Sequence, residues 1–449
     1  MNNLKSKLLN NLFLPLGDFI FRSEFSRQLE IQREYTYMSE KELDILQQSK
    51  LHKLLSHATK TTPFYKEVIT RHHSADWLEK FPILTKEKLR TNANQFISSN
   101  YKTTNLIKYE SSGSTGYRTQ VFIDKIEQSV CRAILINWWE WNGYYLGRPL
   151  LQTGMTPNRG FIKGIKDYMF STIYVNAFES SEVDLIRKLQ RIREKKGYYL
   201  FGYASSLFVL AQIAEKYNIN VTFDLAMSQG DKLFDHYQKK IESVFKCKVV
   251  EDYGLNEGIM IGQKKDLPYF YIYTPSVFLE ILDEDDQPVT DGTMGRIIAT
   301  KLDGYAMPLI RYDTGDLGLM LPRDEYPPDR DLQFPLLKTV VGRNTDIIKT
   351  KEGKSLIVHS FTGIFEFFPE ILQFQIIQNS VEGITIRYIP SESFNMGVLE
   401  KIENTLKERT DTDLLINWEV VSSIPPSKSG KPQIIINNLL TRSLSDQII

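Results

Sequence analysis

Residues 198–251 run YYLFGYASSLFVLAQIAEKYNINVTFDLAMSQGDKLFDHYQKKIESVFKCKVVE, and their apolar period alternates. Residues 198–201 form a short apolar run of strand length, whereas residues 207–216 space their apolar side chains as a helix does. Residues 223–227 read as a second strand, 234–245 as another helix and 248–251 as a third strand. Parallel strands need a crossover, which a helix supplies, so this alternation predicts an α/β domain built on a parallel sheet. A helix over 186–194 leads into the same pattern.

Outward from this stretch the patterning changes on both sides. Upstream, the first hundred residues are mostly helical. Ser39 with Glu42 three positions on has the form of a capping box, and apolar residues follow at helical spacing through Leu54 and Leu55. Downstream, residues 278–282, 295–300 and 317–321 have the look of antiparallel strands joined by polar turns. The acidic run from Asp283 to Asp286 suits a solvated hairpin better than a calcium loop, because the helix–loop–helix spacing is absent. After Gly342-Arg343 the order becomes strands, a helix over 361–367, strands over 374–378 and 384–388, a helix over 396–409 and a strand over 416–421. That predicts a large domain over 1–343 and a small α+β domain over 344–449, near the usual module size.

Composition narrows the function classes. The 449 residues are 42% apolar and 24% charged, with Lys plus Arg equal to Asp plus Glu at 55 each, so no net positive field favours nucleic acid. The two cysteines, Cys131 and Cys247, lack the spacing of a zinc site or disulfide framework, which favours a reducing, cytoplasmic setting. The apolar stretch 12–21 is too short to span a bilayer and is interrupted by Pro15, Gly17 and Asp18. Docking of that stretch onto the domain is the expectation, with peripheral membrane contact the minority view.

Five short motifs carry chemistry. Ser111-Ser112-Gly113-Ser114-Thr115-Gly116 combines tight turns, hydroxyls and backbone amides that can face phosphate oxygens, without the ending of a Walker A loop. Glu251 to Glu257 follows a strand and offers Tyr253 for stacking on a base and Glu257 as an oxygen ligand. Arg311 to Asp316 suits a tight turn whose aspartate accepts ribose hydroxyls. Gly342-Arg343 is the fourth. Lys428 and Lys431 lie on a Ser-Gly loop able to bring an ammonium to a reacting phosphate. Alone, the Ser-Gly run and above all the lysine loop read more readily as ordinary loop, and the Tyr253 motif about as readily as an ordinary turn.

Their order is the stronger signal. Together they resemble the adenylate-forming superfamily of acyl-CoA synthetases, peptide-synthetase adenylation domains and luciferases. The resemblance is closest to the phenylacetate–CoA ligase branch and its CapK-like capsule-biosynthesis members. The N-terminal His57-Ala58 and Pro63-Phe64-Tyr65 also fit that branch, so the likeness spans essentially the whole chain. It implies a large adenylating domain with α/β layers and a small β-rich part, closed by a mobile C-terminal lid.

The resemblance assigns Ser111 to Gly116 as the phosphate loop and Gly230-Asp231-Lys232 as the segment flanking adenine. Asp252, Tyr253, Gly254 and Asn256 fall in the adenine motif, with Tyr253 stacking and Glu257 binding magnesium. Asp316 would hold the ribose and Arg343 the ribose or phosphate. Lys431 would stabilise charge in the adenylation step, and Tyr203, Ala204 and Ser205 would lie by the acyl pocket. ATP, Mg2+ and coenzyme A are the implied cofactors, a small carboxylic acid the partner, and a homodimer the oligomer common in that family. Tyr117 stands where many relatives have lysine, Asn256 replaces Thr or Ser, Thr345 replaces a hinge aspartate, and Ala204 replaces proline. A cysteine-rich metal insert found in some relatives is missing.

The expected reaction forms acyl-AMP from the acid and ATP and then a thioester with coenzyme A. An amine acceptor, AMP transfer as the end product, and a low-turnover nucleotide-binding scaffold remain as rivals. Trp138, Trp139 and Trp141, close together on a helix, read as packing before they read as an aromatic-substrate pocket.

Overall fold

The computed structural model describes residues 13–69, 78–111, 119–154, 164, 167–176, 182–343, 347–351, 355–357, 361, 364–365, 367–368, 370–410, 414–425 and 433–439. Helices open the chain: α1 (Leu14–Phe21), α2 (Phe25–Thr36), α3 (Glu40–Thr61), α4 (Pro63–Ile69) and α5 (Lys86–Thr91). The expected capping box is present, since Ser39 accepts from the Glu42 amide while the Glu42 carboxylate accepts from the Ser39 amide. A hairpin of β1 (Ile107–Ser111) and β2 (Thr119–Ile123) comes next, followed by α6 (Lys125–Trp141), capped by Asp124.

The α/β layer keeps the order read over 186–251, with boundaries displaced by up to four residues, and adds two strands upstream that the sequence reading did not name. It comprises β3 (Leu150–Gly154), β4 (Thr172–Asn176), α7 (Glu182–Ile192), β5 (Tyr199–Gly202), α8 (Ala204–Lys216), β6 (Leu225–Ser228), α9 (Asp235–Phe245) and β7 (Lys248–Leu255). Strands β4, β3, β5, β6 and the start of β7 pair in parallel in that order. Side chains alternate between two apolar layers, as a sheet covered on both faces requires. Leu151, Leu200, Ala226 and Val249 face α7, α8 and α9, whereas Leu150, Tyr199, Phe201, Met227 and Val250 face α2 and α6.

β7 then changes partner. Its residues 248–251 pair in parallel with β6, and 252–255 pair antiparallel with β8 (Ile259–Lys264). The sheet continues through β9 (Phe270–Ile272), β10 (Val277–Leu282), β11 (Gly295–Lys301), β12 (Tyr312–Met320) and β13 (Leu336–Arg343), reaching eleven strands in the order β10-β11-β12-β13-β9-β8-β7-β6-β5-β3-β4. The expected antiparallel strands are therefore part of the same sheet.

The C-terminal unit contains the hairpin β14 (Ile347–Lys349) and β15 (Ser355–Ile357). It also holds β16 (Ile371–Ser380), β17 (Gly383–Pro390), α10 (Gly397–Thr410), β18 (Leu415–Val420) and β19 (Ile435–Asn437). Four of these strands form a sheet ordered β18-β17-β16-β19, and α10 contributes Ile402 and Leu406 to its core beside Ile376, Ile386 and Ile435. This is the α+β pattern expected of the small unit.

Candidate adenylation site

The parallel strands end side by side. Gly202 of β5 pairs with Ser228 of β6, which pairs with Glu251 of β7, and Gly154 closes β3 on the other side. Ligands of open α/β sheets bind beyond these carboxyl ends. Two of the predicted segments leave the sheet there and touch one another. Past β6, the Asp231 carboxylate accepts from the Ala204 amide at 2.5 Å, the Ser205 amide at 3.1 Å and the Ser205 hydroxyl at 2.5 Å. It caps α8 from a neighbouring loop, where a negative charge meets the positive end of the helix dipole. Gly230 has φ +82°, and a Cβ there would sit 2.7 Å from the Tyr203 ring. At Gly202 a Cβ would fall 1.7 Å from the Thr153 hydroxyl, which is hydrogen-bonded to Ser206 at 2.6 Å. Lys232 is half-buried near the Phe234 ring, and burial pulls its ammonium below the usual lysine range against the pull of Glu251. Phe234 packs against the core of the C-terminal unit.

A second group forms where β7 turns antiparallel. The Tyr253 hydroxyl donates to Asp316 Oδ2 at 2.8 Å, and Asp316 of β12 stands opposite Arg343 of β13 in register. Burial and the facing Asp316 carboxylate push the Tyr253 phenol well above its ordinary range, so it remains a donor. The motif lies within the strand rather than after it, because β7 runs on through Leu255. Arg311 to Asp316 likewise corrects the reading of a tight turn. Gly315 at φ +77° bends β12 locally, the Asp313 carboxylate accepts from the Gly315 amide, and the Thr314 hydroxyl accepts from the Asp316 amide. The result is an irregular strand that aims Asp316 at Tyr253.

Alternation along β7 sends Asp252 to the opposite face from Tyr253. Its carboxylate accepts from Trp139 Nε1 at 3.3 Å and from Gln263 Nε2, and burial pushes its pKa up to about 7. Gly254 and Asn256 are exposed. Glu257 is buried, and its Oε1 accepts from the Tyr312 hydroxyl at 2.9 Å. Among the described residues no three His, Cys, Asp or Glu side chains gather as a metal cage. A single carboxylate of this kind suits Mg2+ held mainly by nucleotide phosphates.

Sequence reading missed what lies beneath Glu257. Lys301, fully buried at the end of β11, donates to the Glu257 carbonyl at 3.2 Å and is ion-paired with buried Glu127 of α6. Burial pushes Glu127 up to about 7 despite Lys301. Burial opposes the Lys301 ammonium, but Glu127 and the neighbouring Cys131 outweigh it, and its pKa is raised. Three separate elements supply these residues, and no sequence spacing links them.

Ser111 ends β1 opposite Thr119 of β2, so the phosphate-loop motif joins this hairpin. Ser112, Gly113, Ser114, Thr115 and Gly116 lie outside the described residues, as do Tyr117, Thr345 and Lys431 and the side chains of Ser111 and Arg343.

Comparisons with known proteins fit this layout. Residues 348–438 match the CapK C-terminal domain model. The chain is 23% identical over 410 residues to protein CapK of Staphylococcus aureus, covering 88% of this chain and 89% of that one. A phenylacetate-coenzyme A ligase of Pseudomonas putida is 27% identical over 177 residues, 36% of this chain and 37% of the relative. Among solved structures, a 2-hydroxyisobutyryl-CoA ligase in the postadenylation state in complex with R3-HIB-AMP superposes with TM-score 0.72. That match is 17% identical and covers 92% of this chain and 93% of the ligase. The fold is the adenylate-forming one.

Within the adenylate-forming fold the tryptophan cluster is structural. Trp138 is fully buried against Tyr273, Trp139 packs on Phe201 and Tyr144, and Trp141 stacks on Phe334 while donating to the Thr36 hydroxyl at 3.0 Å. Packing was the reading favoured by sequence, and it holds.

Proposed function

We propose that this chain activates a small carboxylic acid with ATP. The acid's oxygen attacks the α-phosphorus, the bond to the β-phosphate oxygen breaks, and acyl-AMP and pyrophosphate form. The observation that carries this reading is the Tyr253–Asp316 hydrogen bond, with Arg343 paired opposite, beside the carboxyl ends of a parallel sheet. Tyr253 offers a ring for adenine stacking and fixes Asp316, whose carboxylate accepts the ribose hydroxyls. Glu257 and the phosphates would hold Mg2+, which offsets charge building on the phosphoryl oxygens when bound. Ser111 to Gly116 would bind those oxygens, and Lys431 would place an ammonium on them. Residues 1–343 would form the adenylating domain and 344–449 the lid carrying Lys431.

Tyr203, Ala204 and Ser205 would border the acyl pocket, held there by Asp231. In the second half-reaction, the sulfur of coenzyme A attacks the acyl carbon, the thiol proton is lost and AMP leaves. The CapK likeness supports an acyl intermediate of capsule polysaccharide synthesis; a cytoplasmic setting is the expectation from cysteine usage, and a homodimer is what the family resemblance implies. ATP–pyrophosphate exchange across a panel of carboxylic acids, with Lys431→Ala alongside, tests the proposal. Exchange that depends on one acid and collapses in the variant is expected. Absence of ATP binding would overturn it.

A further inference from the structure

Helix α1 carries its apolar residues on the outside. Phe19 is 83% exposed, Ile20 61%, Leu16 50% and Phe21 48%, and Phe13 just before the helix is 44% exposed. No residue of α1 is buried, although Leu14 touches the α2–α6 layer. The helix is nevertheless firmly tethered. Asp18 accepts from the Ser23 hydroxyl at 2.7 Å and from the Phe25 and Ser26 amides at 3.0 and 2.8 Å, so it caps α2. Lys125 at the start of α6 donates to the Phe21 carbonyl at 2.9 Å, and its neighbour Ile126 is itself 46% exposed. The sequence expectation that this stretch docks onto the domain thus holds for one edge only. Its main apolar face is held away from the protein.

From this geometry we infer that α1 forms an interfacial anchor that lies on an anionic lipid surface. The charge pattern selects this occupant. In sequence, residues 1–17 carry Lys5 and Lys7 and neither Asp nor Glu, and exposed Arg22 follows the helix. Asp18 is engaged in capping and Glu24 is paired with Arg27. Phe, Leu and Ile embed at the level of the acyl boundary while flanking cations meet acidic headgroups. Self-association through the same face would bring Lys and Arg of one copy against those of another, since a two-fold interface meets itself. Among the described residues no helix is long and apolar enough to cross a membrane, so the contact is tangential.

Flotation of the full chain with phosphatidylcholine vesicles, and with vesicles in which about one-third of the lipid is phosphatidylglycerol, tests this. Binding to the anionic vesicles is expected, weakened by salt, and reduced roughly tenfold or more in F19S/I20S. Both substitutions fall on exposed side chains, so the thermal midpoint should not move. In Phe19→Trp, a blue shift of the new fluorophore on anionic vesicles would place the helix in the interface. Failure of the full chain to float with anionic vesicles would overturn the inference, as would equal binding by F19S/I20S. Loss of dimers in F19S/I20S without any vesicle binding would overturn it in favour of a second copy. None of these readouts depends on adenylation.

Discussion

The Tyr253 hydroxyl and Asp316 Oδ2 lie 2.8 Å apart, on strands β7 and β12 that are not neighbours in the sheet. One residue supplies a flat face and the other an acceptor, and the hydrogen bond fixes their relative geometry. Tyr253→Phe keeps the ring and loses the donor to a charged group, so the KM for ATP in pyrophosphate exchange should rise about tenfold. Asp316→Ala also removes the acceptor itself, and a rise of roughly a hundredfold is expected. Unchanged KM values in both would disprove the assignment.

Asp231 should matter for both stability and acid recognition. It supplies three acceptor contacts to the start of α8, so Asp231→Ala should cost about 1–2 kcal/mol and lower the thermal midpoint. Displacement of Tyr203 and Ser205 should raise the KM for the acid more than that for ATP. An equal rise in both constants would mean that the loop is only a scaffold.

Asp252 gives a pH signature. Its pKa is raised by burial from 3.8 to about 7, so the folded chain holds a proton that the unfolded chain has released. Its stabilising contribution is full below pH ~4 and is lost as pH rises through about 7, by on the order of 4 kcal/mol in total. Asp252→Asn keeps one acceptor oxygen for the Trp139 and Gln263 donors and removes the titration. Denaturant melts of wild type against this variant between about pH 4 and 7, the span between the unfolded and folded pKa values, should show a smaller loss of stability in the variant. Parallel curves would refute the buried-acid account.

The Glu127–Lys301 pair should be intolerant of single changes. Lys301→Met leaves a buried carboxylate without its cation and releases the Glu257 carbonyl, and should cost about 3–5 kcal/mol in thermal unfolding. Pairing it with Glu127→Leu should restore much of that loss, because two apolar residues replace two desolvated charges. Additive losses in the double variant would argue against the pair acting as a unit.

Much of the fold was legible because local patterning agreed with the tertiary outcome. The stretch 198–251 alternates period and is covered by helices on both faces, so its strands read as near-continuous apolar runs. Boundaries moved where tertiary pairing extended an element. β7 gained Asp252 to Leu255 from β8, and β12 absorbed a motif rich in turn formers, because neighbouring strands supplied ladder partners to both. At the site, residues in motifs could be named in advance and Tyr253 was found beside Asp316. Asp252, by contrast, turned into the core, as a period of two requires once the strand runs through it. Lys301 and Glu127 were invisible, and Tyr312 was quoted in a motif without its bond to Glu257 being foreseen. An apolar strand ending in lysine reads as reaching solvent, and only the folded chain reveals that Lys301 ends against Glu127 instead.

The change of partner along β7 has a consequence for how such chains can vary in length. Residues 248–251 are registered to β6 and residues 252–255 to β8, with no loop between the two sets to absorb an error. One inserted or deleted residue would invert every later side chain in the strand. Tyr253 would exchange places with a core position and lose Asp316. The hairpin turn at 283–287 has the opposite character, being exposed and closed largely by its own hydrogen bonds. Descendants of this sequence should therefore gain and lose residues freely at that turn, and keep the length of β7 even as its individual residues drift.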